Sequence, residues 1–136
     1  MTEYSSFLTM PALISGVLLL LIIVLYKRTF KSKRKSLWIG LSVFLVFYTL
    51  IVGSAAQTDI KYQKQLDTYD LNQDGLFSGN EITPEQEAAM FRLTNDVGRN
   101  FSIFTGALFS GILGLIAYGI SIGIRKYNRL KIEEKN

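Results

Sequence analysis

Three stretches without a single Lys, Arg, Asp or Glu dominate this sequence: Tyr4 to Tyr26, Ser36 to Thr58 and Asn100 to Ile124, of 23, 23 and 25 residues. A helix needs roughly 20 apolar residues to cross a bilayer, so each stretch is long enough to be a span. In a chain of 136 residues, three helices apolar all round would leave almost nothing amphipathic to cover them in water. The expected fold is therefore all-α: three transmembrane helices at about 7–26, 37–57 and 101–124, with an extracytoplasmic helix-loop-helix over 58–99.

The charges sort by segment. Six basic residues and no acid lie between Lys27 and Lys35, and the tail from Arg125 carries five basic and two acidic residues. Glu3 and the segment from Asp59 to Arg99 together carry a net charge of −5, with eight acids in the segment itself. By the positive-inside rule the basic segments are cytoplasmic, which puts the N-terminus and the acidic loop outside a plasma or bacterial inner membrane. Because the basic charge flanks the apolar runs, the net charge of +4 does not point to nucleic acid. The basic clusters are equally able to attract anionic membrane lipid and to satisfy topology alone, and topology is the simpler reading. Glu3 before the first run and Lys27 after it invert the polarity of a signal peptide, so this run is expected to be a retained anchor.

With no Cys and no His, thiol and imidazole nucleophiles and histidine-based zinc sites are excluded. No nucleophile with a base can be assembled, and no catalytic residue is expected. The spans contain no ionisable residue, which argues against a transporter or channel component. Only a multimeric pore lined by Ser42, Thr49, Ser102, Thr105 and Ser110 would remain.

The polar segment is organised by a few local signals. The second helix has no Pro or turn cluster to stop it before Asp70, so it is expected to run out of the membrane, with Tyr62, Leu66 and Tyr69 on one face. Thr83, Pro84 and Gln86 form the start signature of another helix, and Asn95, Asp96 and Gly98 break the chain before the third span. That span carries Gly106, Ser110 and Gly114 at intervals of four and a GxxxG pair at Gly119 and Gly123. Small residues let helices approach closely in lipid, either within one chain or in a homodimer or larger membrane complex.

Between the second and third runs lies Asp70-Leu71-Asn72-Gln73-Asp74-Gly75-Leu76-Phe77-Ser78-Gly79-Asn80-Glu81. It matches the pattern D-x-[DN]-x-[DN]-G-x₅-E throughout and resembles the calcium loop of the EF-hand family. Calcium is a hard cation that takes six to eight oxygens at roughly 2.3 to 2.6 Å, so a loop that binds it must curl and present oxygens in series. Asp70, Asn72 and Asp74 offer side chains on alternate residues, Leu76 a backbone carbonyl, Ser78 a hydroxyl or a bridging water, and Glu81 a closing carboxylate. Gly75 supplies the sharp turn. A polar surface turn held by local side-chain to backbone bonds is the alternative.

Three carboxylates against a divalent ion imply weak, extracellular-type affinity, with magnesium as the competitor. The resemblance also implies a pairing role for Phe77, the eighth loop residue, although no second loop is present. Pro84 delays the exiting helix, contrary to the family pattern. The expected function is that of a calcium-binding membrane protein, an extracytoplasmic sensor or accessory subunit. A structural module with calcium as a permanent staple is the alternative.

Overall fold

The computed structural model describes residues 6–29 and 34–134, and among these every regular element is helical. The elements are α1 (Thr9–Val24), α2 (Tyr26–Thr29), α3 (Lys35–Asp67), a 3₁₀ turn (Gly79–Glu81), α4 (Pro84–Thr94), α5 (Val97–Asn100) and α6 (Ser102–Glu133). Of the charges used above to orient the chain, Glu3, Lys31, Lys33 and Lys135 lie outside the described residues.

Among the described residues two helical segments, not three, are both long and apolar enough to cross a membrane: α3, and the run that ends in α6. The expected first span over 7–26 is shorter than anticipated. Phe7 and Leu8 form a turn in which the Leu8 N–H donates to Ser6 Oγ, and the helix closes at Leu25. The 16 residues of α1 reach about 24 Å at 1.5 Å each, against a hydrocarbon core of about 30 Å. Apolar composition continues through this stretch, but local turn bonds at both ends remove it from the helix.

Helix α3 does continue past its apolar part, as its lack of breakers predicts, and its 33 residues span about 50 Å. It is the central rod, with α1 and α6 antiparallel along it. On one side Leu8 packs with Val52 and Ala56 in the main apolar cluster, and Ser15 Oγ lies 2.8 Å from Thr49 Oγ1. On the other, Gly40 and Gly114 cross so closely that a Cβ on Gly40 would stand 2.8 Å from the Gly114 carbonyl oxygen. Gly106 meets Ile51 and Val52, so the stripe of Gly106, Ser110 and Gly114 is used against α3 within the chain. Gly119 and Gly123 have nothing within 4 Å of where a Cβ would be.

The rods cover one another only along narrow seams. Leu13, Ile14 and Val17 of α1 and Phe104, Leu108 and Leu115 of α6 are exposed, an apolar exterior that suits lipid and not water. The hydroxyls of Thr9, Ser102 and Ser110 are buried without a partner, whereas several others on the rods are satisfied by the preceding turn, Ser42 by the Trp38 carbonyl, Thr49 by Leu45 and Thr105 by Phe101. That is the ordinary solution for Ser and Thr in apolar helices, and Thr49 also bridges to α1 through Ser15.

Candidate functional site

At the end of α3 the chain enters the twelve-residue loop. Asn72 Oδ1 accepts the Asp74 N–H at 3.0 Å and Asp74 Oδ1 accepts the Leu76 N–H at 2.8 Å, two successive Asx turns. Asp70 Oδ2 accepts the Gly75 N–H at 2.9 Å across the curl. Gly75 is left-handed at φ +79°, as its place in the motif requires, and Gln73 is left-handed too at φ +60°. Nothing in the residue type foretold the second; the Asx turns on either side hold Gln73 there against a steric cost of about 1–2 kcal/mol.

Glu81 closes the loop. Its carboxylate is buried, with Oε1 accepting the N–H groups of Leu71 and Asn72 at 2.9 and 3.1 Å and Oε2 that of Ser78 at 3.1 Å. The last residue of the motif thus reaches its second and third, joining the two limbs. Asp70 Oδ1 is buried and has no hydrogen-bond partner. Asn72 Nδ2 donates to Asp74 Oδ2 at 2.9 Å, Phe77 is half-buried, and Ser78 and Leu76 are exposed.

Whether this set fits a cation follows from its donors. Every acceptor that Asp70, Asn72, Asp74, Ser78 and Glu81 offer is an oxygen, the Asn72 amide nitrogen being a donor, and Asp70 Oδ1 is an unused acceptor in a buried position, where such an atom is costly. Yet among the described residues no three Asp or Glu side chains stand grouped to hold a metal ion. The carboxylates of Asp74 and Glu81 are turned onto backbone N–H groups. The motif residues are therefore brought into one curl, in which Asp70 Oδ2, Asp74 Oδ1 and both Glu81 oxygens accept backbone N–H groups and Asp70 Oδ1 does not.

Beyond Glu81 the helical path is interrupted as Pro84 requires. Ile82 and Thr83 are extended, Thr83 Oγ1 accepts the Gln86 N–H at 3.2 Å, and Pro84 is the first residue of α4.

A second cluster, unforeseen from the sequence, fixes this hairpin on the rods. Arg99 Nε lies 3.0 Å from Asp59 Oδ1, with side-chain exposures of 3% and 9%; the N–H is not aligned for a hydrogen bond, so the contact is a buried ion pair. The same guanidinium donates to the carbonyls of Arg92 and Leu93 at the end of α4, lies 5.2 Å from the centre of the Tyr62 ring, and stands 3.9 Å from Asp96. A cation on terminal helix carbonyls complements the α4 dipole. One side chain of α5 thereby joins α3 and α4. The available signal was positional: Asp59 is the first charge after the second apolar run, and Arg99 the last before the third, of opposite sign.

The chain matches no family model, no curated protein and no solved structure.

Proposed function

We propose that this chain is an integral membrane protein whose extracytoplasmic loop, Asp70 to Glu81, binds calcium, and that it serves as a sensor or accessory subunit of a membrane complex. The observation that carries the reading is the closed loop: Glu81 tied to Leu71 and Asn72, with Asp70 Oδ1 buried and unpartnered at its mouth. Asp70, Asn72, Asp74, Ser78 and Glu81 would hold the ion with the Leu76 carbonyl. The ion supplies positive charge that lets close carboxylates coexist. The chain's own part is to hold the curl through its Asx turns and, through Arg99, to tie α4 to α3 on the two sides of the loop.

In this reading α3 and α6 cross the bilayer, and the shorter α1 lies against α3 from Val52 back to Trp38. The basic 27–35 segment and the C-terminal end of α6 lie in the cytoplasm, and the loop lies outside.

A structural reading, with calcium as a staple, is favoured by one observation: the Asp59–Arg99–Tyr62 clamp fixes the hairpin without using any loop ligand.

The test is calcium titration of the purified protein by calorimetry, with hydrogen exchange of the loop amides. Calcium should give binding heat and added protection at Leu71, Asn72 and Ser78, both lost in Asp70→Ala and Glu81→Gln. No heat and no change at millimolar calcium would overturn the proposal. Orientation is read separately: with no native Cys, a Ser78→Cys variant should react with an impermeant maleimide from outside intact cells.

A further inference from the structure

The α3–α6 seam does not close along its whole length. Near the basic end of both helices it opens into an apolar furrow of about 500 Å³ between Leu37, Leu41 and Phe44 on α3 and Gly111, Leu115 and Tyr118 on α6. That volume is in the range of small-molecule ligand sites, room for part of one acyl chain. Gly111 faces the open furrow: a Cβ there would meet nothing within 4 Å, so a larger side chain would project into it.

At its open end the chemistry changes from apolar to cationic within two turns. Ser121 Oγ donates to Ser36 Oγ at 3.0 Å, and Arg125 Nη1 donates to the same oxygen at 3.4 Å, which draws the guanidinium to the seam. Ser36 is itself only 3% exposed. Along α6, Ile122, Arg125, Lys126 and Arg129 line a second groove of about 230 Å³. Helical spacing places Leu115, Tyr118, Ile122, Arg125 and Lys126 on one face, so this groove continues the furrow. The rise from Tyr118 to Arg125 is about 10 Å, which separates the apolar and cationic parts as a lipid separates its chain from its phosphate.

We infer that the furrow and its basic end form a binding site for one anionic phospholipid, with an acyl chain along Gly111 and the headgroup phosphate at the exposed Arg125 and Lys126. The furrow alone would accept any acyl chain; the cations select a negative headgroup. A helix from a second copy is the competing occupant of the apolar part, and the oligomeric state of wild type and Gly111→Leu tests it. The inference rests on the membrane part of the proposed function and not on calcium.

The test is native mass spectrometry of the protein in detergent with equal amounts of phosphatidylglycerol and phosphatidylcholine, in the presence of EDTA. Wild type should retain phosphatidylglycerol preferentially. Neutralising two surface cations in Arg125→Gln/Lys126→Gln should lower that preference roughly 30-fold while chain binding persists. Gly111→Leu, with helicity checked by circular dichroism, should lose both lipids because its side chain occupies the furrow. Equal retention of the two lipids by wild type, or undiminished retention by Gly111→Leu, would overturn the inference. So would binding of soluble glycerol phosphate as strong as that of the lipid, or a wild-type dimer that Gly111→Leu dissociates. Persistence of the preference in EDTA keeps the result independent of the calcium proposal, and failure of the protein to remain in carbonate-washed membranes would indict the membrane reading itself.

Discussion

Arg99→Met is the sharpest probe of how the loop hairpin is held. Met keeps the unbranched stem and removes the guanidinium, leaving Asp59 buried at 7% exposure beside Gln63 as its remaining partner. Removing one member of a buried ion pair typically costs about 3–5 kcal/mol, because the other charge is left uncompensated. The α4 carbonyls of Arg92 and Leu93 lose their donor and Tyr62 its cation, so the upper part of that range is expected. The matched control is Arg129→Met, which breaks a pair with Glu133 at 3.4 Å whose side chains are 82% and 63% exposed. Exposed pairs contribute roughly 0–1 kcal/mol.

The assay is reversible unfolding in mixed micelles followed by circular dichroism, completed as a cycle with Asp59→Leu and the double variant. Asp59→Leu/Arg99→Met should be more stable than Arg99→Met alone, since it removes the stranded charge. Hydrogen exchange should show α4 losing protection in Arg99→Met while the middle of α3 keeps it. If Arg99→Met and Arg129→Met cost the same, or if the double variant is no better than Arg99→Met, the clamp is not an electrostatic one and the reasoning fails.

Other substitutions test other links. Gly40→Ala drives a Cβ to within 2.8 Å of the Gly114 carbonyl oxygen and should destabilise by about 1–3 kcal/mol, whereas Gly119→Ala, in open space, should be neutral or stabilising by up to about 1 kcal/mol; the same denaturation assay reads both. Gln73→Gly relieves the left-handed strain at φ +60° and should raise loop stability by about 1 kcal/mol, seen as slower amide exchange at Asp74 and Leu76. Ser110 is fully buried with an unpartnered hydroxyl, so Ser110→Ala should stabilise by about 1 kcal/mol, and destabilisation would show that the oxygen has a role in the α3–α6 seam.

Much of the architecture follows from local pattern. Charge-free runs, the uninterrupted second helix, the Thr83–Pro84 start and the break near Asp96 depend on neighbours within a turn or two, and all are found where those residues put them. The length of α1 departs from the pattern because apolar composition says nothing of where backbone turns form. Phe7, Leu8 and Leu25 are as apolar as the helix they flank.

For the loop, the residue types and their spacing were legible, and so was the turn at Gly75. The direction in which the carboxylates point was not, since amides compete for the same oxygens and the competition is decided by the curl as a whole. Asp59 and Arg99 are forty positions apart along the chain, and only the antiparallel packing of α3 against the helices after the loop makes them partners. The same holds for the glycines of the third run. Spacing separates Gly106 and Gly114 from Gly119, but only the seating of α6 on α3 presses the first two into a seam and leaves Gly111 and Gly119 in open space. Composition and periodicity determined what each segment is; which faces meet, and what stays uncovered, was decided by packing, because contacts between distant segments depend on crossing geometry that no single segment encodes.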